Sequence, residues 1–174
     1  MEGAARDALA GRDRSRPGGE GALPARGRQA RLDRALRARC RSGSDAAYSF
    51  GDVITPRLVN DAGHGAIAHA GSYREMTTSV GQLGVANAFG LYDMHGNVFE
   101  WCLDPWHESY EQAPEDGRVW LHGDPSYRVL RGGGWRWVDS YSRSAYRRRF
   151  PPGSGANDLG FRVVSGGPVA AATR

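Results

Sequence analysis

The stretch GLYDMHGNVFEW, residues 90–101, holds Asp93 and Glu100 in a run that is largely small, apolar or aromatic. Gly96 and Asn97 lie between them and are turn-forming types, so the chain can bend and bring both carboxylates to one point, with turn carbonyls facing it. Two carboxylates plus carbonyl oxygens form a hard cage. Such a cage suits Ca2+, which takes roughly 6 to 8 oxygens at about 2.3–2.6 Å. The spacing equally allows Asp93 to cap a turn and Glu100 to pair with an arginine, without a metal, and it is not the EF-hand pattern. His95 suits an all-oxygen cage poorly.

The second group of reactive types lies in GGGWRWVDSYSRSAYRRR, residues 132–149. Arg136, Trp137, Asp139, Tyr141, Ser142, Arg148 and Arg149 are candidates for a face that receives an anionic or peptide ligand, through bidentate pairs and stacking. Arg131 and Arg162 read instead as internal struts that pair with acids or stack on Trp, and Arg147 fits either a strut or the ligand surface. No catalytic residue is assigned. The five histidines, at 64, 69, 95, 107 and 122, show no HExxH spacing; no GxSxG elbow is present, and GGGW lacks the lysine of a phosphate loop.

Both groups need a scaffold of short strands and ordered turns. The runs DVITP, RVWLHG, YRVLRGGGW and LGFRVV are short and bounded by Gly, Pro, Asn or Asp, which predicts several brief strands and little long helix. Side-chain hydrogen bonds and bound ions are then expected to hold the fold as much as sheets do. Residues 1–40 are rich in Arg, Gly and Ala and lack the apolar content to order themselves, so they read as an irregular, disordered leader. Within them Leu32, Leu36 and Cys40 recur at helical spacing, which allows a short helix over 29–40. The domain is expected over 41–165 and a loose tail over 166–174.

The net charge of +4 belongs to that leader: ten of the 23 basic residues and five of the 19 acidic ones lie in residues 1–40, leaving 41–174 at −1. A near-neutral domain argues against a nucleic-acid partner. All the basic residues are arginine, which reads first as a coding bias. No apolar run follows the amino terminus, so neither signal peptide nor membrane span is visible and the cytoplasm is the default expectation. Cys40 and Cys102 do not make a disulfide framework.

Taken together and in order, NAFGLYDMHGNVFEWCLDPW, RVLRGGGWRW, RSAYRRRF and NDLGFRVV resemble the formylglycine-generating enzymes, or sulfatase-modifying factors, over about residues 41–164. The resemblance implies an α+β, C-type-lectin-like fold with little regular secondary structure and structural calcium. It implies that Asp93 and Glu100 bind Ca2+ with side chains, and Gly96 and Val98 with backbone carbonyls. Asn60 matches the start of a second calcium site found in some members, whose acidic partner has no clear counterpart here.

Enzymatic members oxidise a sulfatase cysteine to formylglycine with O2 and a copper ion held by two cysteines. The matching positions here are Trp137 and Ser142, and neither supplies a thiolate, so copper is not expected. The segment resembling RLPTEAEWEYA, normal in the family before this region, is not found in residues 1–40, and the domain reads as the carboxy-terminal part of the family unit. The leading expectation is a non-oxidising, calcium-stabilised binding or accessory module for an unknown protein or small ligand. The alternatives are a formylglycine-generating oxidase and a retroelement-diversified ligand-binding protein.

Overall fold

The structure is a computed structural model, and it describes residues 29–30, 33–63, 73–115 and 118–164. Two strands form its centre. β2 (Phe99–Trp106) and β3 (Asp124–Arg131) pair antiparallel, with Glu100 opposite Arg131 and Trp101 opposite Leu130. Pro105 has no N–H to give the ladder, and the register shifts on both sides of it. β4 (Arg148–Phe150) adds antiparallel to β3, and β5 (Leu159–Gly160) adds parallel to β2, so the sheet runs β4-β3-β2-β5. A separate two-stranded sheet joins β1 (Gln29–Ala30) to β6 (Val163–Val164).

Strand alternation gives the sheet two different faces. One face carries Cys102 and Val129, and α1 (Asp33–Arg41) covers it: Leu36 and Cys40 join Cys102, Val129 and Met94 in one buried cluster. Asp33 in the first turn and Arg39 and Arg41 in the last complement the helix dipole. The other face carries Phe99, against which the Trp137 and Tyr146 rings pack at 6.1 and 6.3 Å.

Residues 33–40 therefore belong to the domain, and the boundary expected at residue 40 falls too late. Their apolar content is low, but Leu36 and Cys40 are one helical turn apart and meet an apolar sheet face that local composition does not reveal. The expectations for residues 1–28 and 166–174 lie outside the described residues. Two expected strands are also absent. DVITP is an extended lead into a turn in which Leu58 and Val59 N–H donate to the Thr55 carbonyl at 2.9 and 3.1 Å. RVWLHG forms no ladder: the Trp120 N–H is held by the Asp104 carboxylate at 3.0 Å, and β3 begins only at Asp124.

Arg131 joins these parts. It is 1% exposed, and its Nε donates to Asp33 Oδ1 at the start of α1. Its Nη1 donates to the carbonyls of Ser144 and Tyr146 at 3.0 and 2.9 Å, and its Nη2 to the Tyr110 hydroxyl. Tyr110 in turn donates to Asp33 Oδ2 at 2.9 Å, and the Asp33 N–H donates to Asp104 at 2.8 Å. Burial disfavours the Arg131 charge, but Asp33 and Tyr110 beside it hold its pKa above the ordinary value. Removing one member of such a pair strands the other charge away from water. Asp33→Ala and Arg131→Met are each expected to cost about 3–5 kcal/mol in urea denaturation, and the double variant less than the sum, because the two charges then leave together.

Candidate functional site

The loop from Asp93 to Glu100 turns through left-handed backbone at Asp93 (φ 52°), Gly96 (φ 77°) and Asn97 (φ 63°). Gly96 is fixed sterically, since a Cβ there would lie 2.4 Å from Val59 Cγ1 and 2.5 Å from the Asn60 carbonyl. Short backbone bonds clamp the loop on three sides: Gly96 N–H to Gly132 O at 2.6 Å, Asn97 N–H to Asn60 O at 2.7 Å, and Trp135 N–H to Asn97 O at 2.9 Å. The Asn97 amide accepts the Thr78 N–H at 2.9 Å and donates to the Thr78 carbonyl at 3.2 Å. Asn60 donates its amide to the Met76 carbonyl at 2.9 Å and to Asn97 Oδ1 at 3.2 Å.

The Glu100 carboxylate and the Asp93 backbone carbonyl, at the two ends of the loop, meet one positive group. Arg162 donates its Nε to Glu100 Oε1 and its Nη2 to the Asp93 carbonyl at 2.8 Å. Asp93 Oδ2 accepts the Gly81 N–H at 2.8 Å. The carbonyls of Val98 and Met94 lie 3.6 and 3.7 Å from the point where Gly132 would carry a Cβ, so that glycine opens a space rimmed by backbone oxygen. The Glu100 carboxylate and the loop carbonyls are hard oxygen donors of the kind that Ca2+ takes, while the Asp93 carboxylate is engaged by the Gly81 N–H. Among the described residues no three His, Cys, Asp or Glu side chains gather as a metal-holding group, so a cation here depends on backbone oxygens as well.

The seven ligand-face candidates do not share one face. Trp137 donates its Nε1 to Asp158 Oδ2 at 2.5 Å, and its ring lies between the Arg148 guanidinium at 4.2 Å and the Tyr141 ring at 5.3 Å. Arg136 stacks over Trp135 at 5.4 Å and reaches Asn157 Oδ1 at 3.3 Å. Arg136, Trp137, Tyr141 and Arg148 thus form one patch beside Phe99. Asp139, half-buried in the 3-10 turn Asp139–Ser142, accepts the Tyr48 hydroxyl through its carbonyl at 3.1 Å. Ser142, 0% exposed, lies beneath the patch on Gly133 and has no surface to offer a ligand. Arg149 follows Arg148 in β4 and so points to the opposite face, where it pairs with Glu108 at 3.0 Å.

The two arginines read as struts pair with acids, Arg131 with Asp33 and Arg162 with Glu100, and Arg147 lies over the Trp106 and Tyr110 rings at 4.4 and 4.5 Å. Asp158, which fixes Trp137, carried no signal in the sequence beyond its place in NDLGFRVV. His95 also emerges only from the fold. It is buried between Tyr48 and Phe50, accepts the Ser49 N–H on Nε2 at 3.0 Å and meets the Ser142 carbonyl through Nδ1 at 2.7 Å, which fixes the proton on Nδ1. Burial lowers its pKa and keeps it neutral. A copper ion does not fit residues 137 and 142, whose side chains are an indole bonded to a carboxylate and a buried hydroxyl. Cys40 and Cys102 lie in the apolar cluster under α1, and burial pushes the Cys102 thiol well above its ordinary pKa.

The family model of the sulfatase-modifying factor enzyme 1-like domain matches residues 29–166, and the chain belongs to that family. It is similar to the formylglycine-generating enzyme of Streptomyces coelicolor, 33% identical over 127 residues that make up 68% of this chain and 40% of that protein. The enzyme of Thermomonospora curvata is 32% identical over 148 residues, 72% of this chain and 45% of that protein. The serine/threonine-protein kinase pkn1 of Chlamydia caviae is 44% identical over 84 residues, 47% of this chain and 13% of the kinase. Among solved structures, PvdO from Pseudomonas aeruginosa superposes with a TM-score of 0.68 at 31% identity, covering 78% of this chain and 51% of PvdO. Treponema denticola variable protein 1 superposes with a TM-score of 0.57 at 25% identity, covering 78% of this chain and 46% of that one. The chain therefore spans about half or less of the length of each relative. Its mixed sheet with few helices is the α+β, C-type-lectin-like fold of the family.

Asp61, between Asn60 and the patch, gives a pH test of this region. Burial pushes its pKa up from 3.8 to about 6, aided by Asp139 and opposed by the Gly63 N–H and Arg74. The folded state then holds a proton that the unfolded chain has lost, between about pH 4 and pH 6, so stability falls as pH rises through that window. Asp61→Asn keeps an acceptor for Gly63. It is expected to raise Tm by about 2–6 °C at pH 7.5 and to leave it unchanged at pH 4, as measured by thermal melts across pH.

Proposed function

We propose that the chain is a non-oxidising, calcium-stabilised binding or accessory module of the formylglycine-generating-enzyme family. One observation carries the reading: the two positions that match the family's copper cysteines hold Trp137, anchored to Asp158 and stacked on Arg148, and Ser142, wholly buried. Neither is a soft donor, and an ordered indole fills the place where a sulfur would face a substrate. What remains around it is a patch of guanidinium and aromatic groups, Arg136, Trp137, Tyr141 and Arg148, suited to an anionic group presented by a protein or a small molecule. No helix among the described residues is long and apolar enough to cross a membrane. The likeness to Treponema denticola variable protein 1 favours a second reading, in which this surface varies among near-identical copies.

Incubated with Cu(I), O2 and a cysteine-containing sulfatase peptide, the protein is expected to leave the peptide mass unchanged. A mass loss matching aldehyde formation would overturn the reading in favour of an oxidase. Trp137→Cys combined with Ser142→Cys is expected to add Cu(I) binding that the parent protein lacks, measured by competition with a chromogenic chelator.

Calcium supplies positive charge that gathers the oxygens of the Asp93–Glu100 loop when bound. Asp93 and Glu100 would hold it with side chains, and Gly96 and Val98 with carbonyls. Thermal melts are expected to shift upward with calcium over chelator by an amount that grows with ligand concentration. Glu100→Gln should abolish that shift, and equal melts for the parent protein in both conditions would remove calcium from the account.

A further inference from the structure

The face of the sheet opposite the Trp137 patch ends in an open cavity of about 480 Å3, where β2 runs out and β3 begins. Its lining is aromatic and acidic: Trp106, His107 and Trp120 together with Glu108, Glu111 and Asp124. His107 lies flat on Trp120, with ring centroids 3.5 Å apart and planes within 5°, and is tied by Nε2 to the His122 carbonyl.

The protein already places cations at the edge of this lining. The Arg147 guanidinium stands 4.4 Å over the Trp106 ring, held by the Glu108 carbonyl at 2.9 Å. Arg149 stands 5.9 Å over the same ring and 3.0 Å from the Glu108 carboxylate. An indole face backed by a carboxylate attracts an organic cation through its quadrupole and through charge together. Glu108 pairs with Arg149, and Asp124 accepts the Ser126 N–H at 2.9 Å. Among the described residues no arginine lines the cavity itself.

We propose that this cavity is a binding site for an organic cation, a guanidinium or alkylammonium group, with Trp120 as the stacking surface and Glu111 and Asp124 as the charge partners, Trp106 being already covered by Arg147. The site is distinct from the anion-suited patch around Trp137, because the alternation of Arg148 and Arg149 in β4 sends the two to opposite faces of the sheet. A module with this pair of faces would hold an anionic group on one side and a basic side chain or amine on the other.

The test titrates the full chain with agmatine and with N-acetyl-arginine amide, following the indole signal of Trp120 by NMR with the Trp137 signal as an internal control. Both probes are expected to move the Trp120 signal saturably, with a Kd on the order of 1 mM, and to leave Trp137 in place. A response to agmatine alone would identify a small free amine as the source, and a response to both admits a peptide side chain. Glu111→Gln and Asp124→Asn are exposed changes that leave the core intact. Each should weaken binding by about two- to fivefold at low salt, and the weakening should shrink as salt rises. Absence of saturable shifts, equal affinity in both variants, or a response to neutral methyl glucoside and not to the cations would overturn the proposal.

Discussion

A guanidinium taken almost wholly out of water must find acceptors for its N–H groups, and in this fold that requirement falls on Arg131. Its bonds reach the first residue of α1, the Tyr110 loop and the carbonyls of Ser144 and Tyr146. Three segments that share no sheet with one another are therefore held by one side chain at the end of β3. With only short strands and one nine-residue helix among the described residues, the ladder cannot supply this constraint. Position is set by polar side chains locked inside, which is costly to break at any one point.

The same principle governs the Asp93–Glu100 loop. Its left-handed residues and Gly96 place backbone against backbone, and Asn97 ties the Thr78 strand of chain to it through both ends of its amide. Glu100 is then delivered to Arg162 at the moment β2 begins, so the loop and the sheet share a charge pair. A loop shaped in this way holds its oxygen atoms at fixed positions.

The aromatic patch follows from the sheet. Phe99 at the start of β2 and Arg148 in β4 lie on one face, and they give Trp137 a floor and a cation to stack on, while Asp158 takes its N–H. Tyr141 and Tyr146 continue the stack at 4.7 Å. Positions 137 and 142 are thus a locked indole and a buried hydroxyl within the family scaffold.

Some of this was legible in the residues alone. Four motifs in order identified the family and its sparse secondary structure, and Arg131 and Arg162 were readable as struts because each sits among Gly or apolar neighbours, where a solvated charge has no place. The face of each residue in 136–149 was not legible, because a strand as short as β4 decides it by a single residue of register: Arg148 went to Trp137 and Arg149 to Glu108. Ser142 disappeared beneath Gly133 for the same kind of reason, a close approach that only the tertiary backbone creates. Helix α1 had the right spacing but too little apolar content to order itself, and what orders it is the sheet face formed by residues sixty and more positions later, together with Arg131 waiting for Asp33. The sequence by itself determined the family, the donor types and the absence of thiols at positions 137 and 142; the tertiary structure decided which charges meet, because partners so distant along the chain are selected by packing and not by spacing.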